Sequence, residues 1–247
     1  MITSSCLILH FQVDWVYMYL AHTLGIERGK PFAPTEAQKA ALMAGLTSGE
    51  AVAKTFVFNE RLDGVLRKDG WRVILSGSLP DAFEHTQRVR DFDMLDPRSR
   101  FTYEAITSSP RMGHPVTGKG QAYAGMFEDS DDNRLLGSGK YVMRFNPPPP
   151  AELFWSVVVY DVESRTLIVN ETQNATIGSR ATPDLQTNAD GSVDIYVGPT
   201  PPPGKESNWV QSVPGRGWFP YVRMYGPGAD WFDEDAFALP QIEKTDW

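Results

Sequence analysis

Apolar residues change their spacing partway along the chain. Residues 14–24, "DWVYMYLAHTL", read as a helix that Asp14 caps and Gly25 ends. A turn-rich connection, "GIERGKPFAP", follows, and then "TEAQKAALMAGLTSGEAVAKTFVFNERL". There Leu42, Leu46, Gly49, Ala53 and Phe56 stand four and three residues apart and trace one face of a second helix. Thr35 with Gln38 three residues later is a capping-box signature for its start. Gly49 on that face predicts either close helix packing or a break between two shorter helices. Helical character ends near Asp69-Gly70, and "WRVIL" is too short to classify. A third helical region is expected over 81–107, with Asp96-Pro97 opening "RSRFTYEAI".

Beyond Pro110 the apolar positions alternate, and Gly and Pro recur every few residues. "QAYAGMF", "GKYVMRF", "ELFWSVVVYD", "RTLIVN", "SVDIYVG", "NWVQS" and "GWFPYVRMYG" read as strands, separated by turns such as "DDNR", "NPPPP", "NADG" and "PPPGKE". In "GSVDIYVGP", Val193, Ile195 and Val197 face one way and Ser192, Asp194 and Tyr196 the other, as a sheet with one solvated face requires. Seven short strands without intervening helices predict antiparallel pairing in a sandwich or jelly roll. The expected fold is therefore α+β: a mainly helical segment over 1–110 packed on an antiparallel jelly-roll-like β-sandwich over 111–247.

Composition narrows the function classes. The 247 residues are 41% hydrophobic and 22% charged, with a net charge of −8, which argues against general nucleic-acid binding and against adhesion to anionic membranes. No stretch approaches the ~18–20 apolar residues of a membrane helix. A single cysteine, Cys6, excludes a disulfide framework and a cysteine-ligated zinc site. The four histidines (His10, His22, His85, His114) are scattered, so no metal is expected, and no motif calls for a cofactor. "DSDDNRLLGSGK" starts like a calcium loop with Asp129, Asp131 and Asn133. Arg134 then replaces the required glycine and Lys140 the bidentate glutamate, so a polar hairpin turn is the expected structure. The start, "MITSSCLILHFQ", has no basic flank and no small-residue cleavage site. Lack of disulfides fits the cytoplasm, although a truncated N-terminus would also lose a signal peptide.

The stretch "FPYVRMYGP" carries the most chemistry. With a period of two, Phe219, Tyr221, Arg223 and Tyr225 share one face, and Val222 and Met224 the other. A guanidinium held between rings and free to accept a carboxylate in a fork is a good anion clamp. The same residues also suit an outer sheet face where Arg223 covers aromatic surface.

Several fragments occur in an order that resembles a known family: "GIERGKPFAP", "FTYEAITSSPRM", "GKGQAY", "LLGSGKY", "AELFWSVVVYDVESRTLI", "NADGSVDIYVGP" and "NWVQSVPGRGWFPYVRMYGP". Together they resemble the bacterial proteins that pair the domains of unknown function 1254 and 1214. The resemblance implies a helical segment ahead of a C-terminal jelly-roll-like sandwich, with a further small β domain usually preceding both. It marks Tyr103, Tyr123, Trp155, Tyr160, Asp161, Arg165, Asn188, Asp190, Asn208, Trp209, Arg223 and Tyr225 as motif positions. Departures are Ser109-Pro110 where members tend to have Thr-Pro, Gln121 where they have serine, and "SDDNR" where they have a glycine in the turn.

Three functions follow. One is a hydrolase-like enzyme acting on a small anionic or oxygenated metabolite where the helical segment meets the sandwich. Arg223, Tyr225, Asn208, Trp209 and Trp155 would hold the ligand, and Tyr103, Asp161 or His114 would handle protons. The second is a non-catalytic module that stacks carbohydrate or another small molecule on aromatic rings. The third is a structural homo-oligomer that buries the aromatic and arginine face against another subunit.

Overall fold

The computed structural model describes residues 19–58, 67–74, 116–233 and 235–247. The chain divides into two compact units, Met1–Thr55 and Phe56–Trp247. The expected boundary at 110/111 and the expected helical region over 81–107 lie outside the described residues.

In the first unit, residues 19–23 are helical, and helix α1 spans Glu36–Phe58, its last three residues belonging to the second unit. Its start is the predicted capping box. The Thr35 amide donates to Gln38 Oε1 at 2.8 Å, and the Gln38 amide donates to Thr35 Oγ1 at 3.2 Å. Two of the four amides a helix start leaves unpaired are thereby satisfied. The helix runs unbroken through Gly49, where an added Cβ would meet nothing within 4 Å.

Among the described residues of the second unit, ten strands form two sheets. They are β1 (Arg67–Lys68), β2 (Trp71–Ile74), β3 (Gln121–Gly125), β4 (Tyr141–Phe145), β5 (Ala151–Asp161), β6 (Thr176–Gly178), β7 (Val193–Gly198), β8 (Trp209–Gln211), β9 (Trp218–Pro227) and β10 (Ile242–Lys244). One sheet has the order β1-β2-β3-β9-β5-β6, the other β10-β4-β7-β8. Alternation explains the core between them. Tyr141, Met143 and Phe145 of β4, Trp155, Val157 and Val159 of β5, Val193, Ile195 and Val197 of β7, and Trp218, Val222 and Met224 of β9 are all buried in one cluster. Rings bridge the layers: Tyr141 meets Trp218 edge-on at 5.4 Å, and Phe145 lies 6.1 Å from Trp155. Each such side chain, fully buried, contributes roughly 1.5–3 kcal/mol. The fold is thus α+β, a helical N-terminal segment and a two-sheet sandwich.

Three local expectations differ from the structure. Pairing is antiparallel throughout except for β7 and β8, which are parallel. The connection over 199–208, ending in the 3₁₀ turn Glu206–Asn208, carries the chain back far enough to allow this. "RTLIVN" is not a strand and contributes a single bridge, Leu167 to Tyr160. The reason is the turn before it. Asp161 accepts from the Glu163 and Ser164 amides, and Arg165 has φ +55°, which swings Val169 out to 86% exposure. "DSDDNR" is indeed a polar turn, with Asp129 Oδ1 accepting from the amides of Asp131 and Asn133. Its flanking strands, β3 and β4, however, lie in different sheets instead of forming a hairpin.

The C-terminal segment ties the two sheets together. The Leu239 amide donates to Asp69 Oδ2 at 2.8 Å, and Trp71 Nε1 donates to the Pro240 carbonyl at 2.7 Å, both on the β1–β2 side of the larger sheet. Three residues later β10 pairs with β4 of the smaller sheet. Trp71, Trp231, Phe237, Leu239 and Ile242 are all buried in the common core.

Candidate functional site: an aromatic and arginine face

Strand β9 lies at the centre of the larger sheet, between β3 and β5. Its period of two puts Trp218, Val222 and Met224 into the core, while Phe219, Tyr221, Arg223 and Tyr225 point to the opposite face. Register decides what joins them there. Arg223 stands opposite Tyr123 on β3 and Ser156 on β5, and Tyr225 stands opposite Gln121 and Phe154. Six side chains from three adjacent strands therefore form one continuous patch.

The polar groups of the patch are connected. Arg223 donates through an Nη to the Tyr225 hydroxyl, the Tyr225 and Tyr123 hydroxyl oxygens are 3.4 Å apart, and the Tyr123 hydroxyl donates to Gln121 Oε1. The guanidinium carbon lies 5.2 Å from the Tyr123 ring and 5.5 Å from the Tyr225 ring, within cation–π range of both. Among the described residues Arg223 has no carboxylate partner; its side-chain partners are the tyrosine hydroxyls of Tyr225 and Tyr123. The buried Ser156 hydroxyl beside it makes no hydrogen bond among the described residues. Phe154 stacks on Tyr225 at 4.3 Å and 18°, forming an apolar wall next to the cation.

Protonation follows from this packing. Burial, together with the neighbouring Tyr225 hydroxyl, pushes the Tyr123 phenol up to about 12 against the pull of Arg223. Burial likewise raises Tyr160. Burial works against the charge of Arg223, but its interactions with Tyr123, Tyr225 and Tyr160 together outweigh this and raise the group further. At neutral pH the patch offers a fixed cation beside the hydroxyls of Tyr123 and Tyr225, the first of them already donating to Gln121. It suits recognition of an anionic or oxygen-rich group.

Beyond Tyr221 the same face becomes a packed aromatic cluster. Phe219 stacks on Tyr160 at 5.5 Å and contacts Phe127 and Phe58, the last from the tail of α1 within the second unit. Gly125 is required here, because a Cβ on it would stand 2.6 Å from the Tyr221 ring. Arg165 and the fully buried Arg72 lie against Phe219 and Phe127.

Of the sequence-predicted site residues, the structure brings Arg223 and Tyr225 together. Trp155 is on the same sheet but points into the core, opposite Met224. Asn208 is buried in a different place. Its side chain donates to the carbonyls of Gln186 and Asp194 and accepts the Gln186 amide, pinning the approach to β8. Trp209 fastens β8 to β7 through its indole N–H on the Gly198 carbonyl. Asp161 closes the far end of β5 and accepts from Ser164, Glu163 and Arg216, which together hold its carboxyl well below the usual range, Arg216 contributing most. Tyr103 and His114 lie outside the described residues. Among those described, no group of three His, Cys, Asp or Glu side chains is placed to hold a metal ion, and no helix is long and apolar enough to cross a membrane. Tyr123, Phe154, Ser156 and Gln121 belong to the patch although sequence reasoning did not assign them to a site. Their signal was the alternation within "QAYAG" and "ELFWSVVVYD", and only the strand register reveals which residues meet.

The fold and this patch define a two-sheet β-sandwich protein with an aromatic and arginine face on its larger sheet. Residues 120–229, which include every strand of that patch, match the model of a family described as "Protein of unknown function (DUF1214)". Among solved structures, the VPA0106 protein from Vibrio parahaemolyticus aligns with a TM-score of 0.49 and 21% identity over 95% of this chain and 52% of its own. A putative uncharacterized protein from Burkholderia cenocepacia aligns at 0.34 and 15% over 83% of this chain and 49% of its own. The chain spans about half the length of these structures. No curated protein matches it.

Proposed function

We propose that the protein binds a small anionic or oxygenated metabolite at the Arg223, Tyr225 and Tyr123 patch. The observation that carries this reading is the half-buried Arg223 guanidinium, which has no carboxylate partner among the described residues and is ringed by hydroxyl groups and aromatic walls. A half-buried cation that finds no anion within its own sheet is well suited to one supplied by a ligand. The whole patch lies inside the Phe56–Trp247 unit.

Binding is favoured here over hydrolysis. Tyr123 holds its proton too tightly to act as a base near neutral pH, and Asp161 is occupied by its turn and by Arg216. Carbohydrate stacking would call on Trp155 and Trp209, but the first is core and the second is tied to Gly198. We further infer that the segment ahead of residue 111 corresponds to the end of a domain of unknown function 1254, with "GIERGKPFAP" as its support.

Calorimetric titration with a panel of small carboxylates, phosphate and sulfate tests the reading. Wild type is expected to bind at least one of them. Arg223→Ala should weaken that binding by about 2 kcal/mol or more, roughly thirtyfold. Equal affinity in the variant would refute the proposal. Dimerisation in light scattering that Arg223→Ala abolishes, with no anion bound, would favour a subunit interface.

A further inference from the structure

A second arginine stands beside the patch. Arg180 follows β6 in the turn 178–182, and its guanidinium carbon lies 5.9 Å from the Phe154 ring. That turn is pinned to the backbone of β5. The Trp155 amide donates to Ser179 Oγ at 3.1 Å, the Ser179 amide donates to the Trp155 carbonyl at 3.1 Å, and the Gly178 amide donates to Thr182 Oγ1 at 3.2 Å. The Thr182 amide closes it on the Gly178 carbonyl at 3.1 Å. The base of Arg180 is thus fixed while its exposed side chain reaches the rings.

Arg180, Phe154, Tyr225 and Arg223 form a continuous series, with successive separations of 5.9, 4.3 and 5.5 Å. A cation stands at each end of an apolar two-ring wall. Among the described residues neither guanidinium has an ion-pair partner. Two arginines without an ion-pair partner thus flank one ring stack, and each carries a forked set of donors suited to a carboxylate. A ligand with one anionic group would satisfy only one of them.

We propose that the ligand is a dicarboxylic acid with a short apolar spacer, one carboxylate on Arg223 and the Tyr225 hydroxyl, the other on Arg180, and the spacer against Phe154. This rests on the anion-binding reading above and adds the ligand's second charge. A spacer of about two to four carbons sets the carboxylates roughly 4–7 Å apart, given C–C bonds of about 1.5 Å. The half-buried Arg223 supplies the part of binding common to all acids. The exposed Arg180 discriminates diacids from monoacids.

The test is calorimetric titration of the full chain with succinate, glutarate and adipate against butyrate at constant ionic strength. At least one diacid is expected to bind wild type tenfold or more tightly than butyrate. Arg180→Ala, an exposed change that leaves the turn's hydrogen bonds intact, should bring the diacid down to the butyrate level while butyrate itself is unaffected. Arg223→Ala should remove both. If diacids and butyrate bind wild type equally, or if Arg180→Ala leaves diacid affinity unchanged, the dicarboxylate proposal is wrong and the anion site stands. If wild type binds no acid at millimolar concentration, both fail.

Discussion

The carboxylate of Asp161 is buried and surrounded by donors: the amides of Glu163 and Ser164, the Ser164 hydroxyl and the Arg216 guanidinium. Asp161→Ala should cost about 2–4 kcal/mol in urea unfolding at neutral pH, mostly because buried donors lose their acceptor. Its carboxyl titrates below the usual range in the folded state, so its contribution is present above about pH 4 and fades as pH falls further. The gap between wild type and variant should therefore narrow in acid. Tyr123 has the opposite sign of effect. Its phenol is raised to about 12, so the folded chain holds that proton where the unfolded chain, near 10, releases it. Its contribution is complete below about pH 10 and is lost as pH climbs toward 12. In urea titrations at pH 9 and pH 11, Tyr123→Phe should reduce the loss of stability between the two.

Among the elements, α1 and β7 were legible because their signals are local. The capping box needs only Thr35 and Gln38, and alternation in "SVDIYVG" needs only the strand itself. Strands β6 and β10 were not legible, since three residues cannot show a period and both exist only because a longer partner presents its edge. β6 also depends on a single position. A Cβ at Gly178 would stand 2.3 Å from the Trp155 carbonyl oxygen and 2.8 Å from Ser156 Cα, contacts with backbone that cannot give way. Gly178→Ala should detach β6 from β5, lower the melting temperature by several degrees and displace Arg180. "RTLIVN" misled for the converse reason. It has the composition of a strand, but its fate was set by Asp161 and the left-handed Arg165 just before it. The site was half legible: periodicity found Arg223 and Tyr225, while Tyr123, Ser156 and Phe154 needed the register of three strands distant in sequence.

At the scale of the molecule, the segment Phe237–Lys244 crosses from one sheet to the other, holding the β1–β2 hairpin through Pro240 and Leu239 and adding β10 to β4. Replacing Trp71 by Phe removes the indole donor to Pro240 while keeping an aromatic ring. It should cost about 1–3 kcal/mol, read from chemical denaturation, because the Pro240 carbonyl loses its partner and the pocket its volume.

The strand order β3-β9-β5 has a consequence for how the protein is made. Strands β3 and β5 leave the ribosome early, yet in the native sheet each pairs with β9, which emerges some sixty to a hundred residues after them. Until Trp218–Pro227 arrives, the nascent chain carries two open strand edges that have no native partner. The same ten residues bring Arg223 and Tyr225. Closing the sheet and assembling the aromatic and arginine patch are therefore one event, and a chain whose central strand has docked already has the patch residues in register.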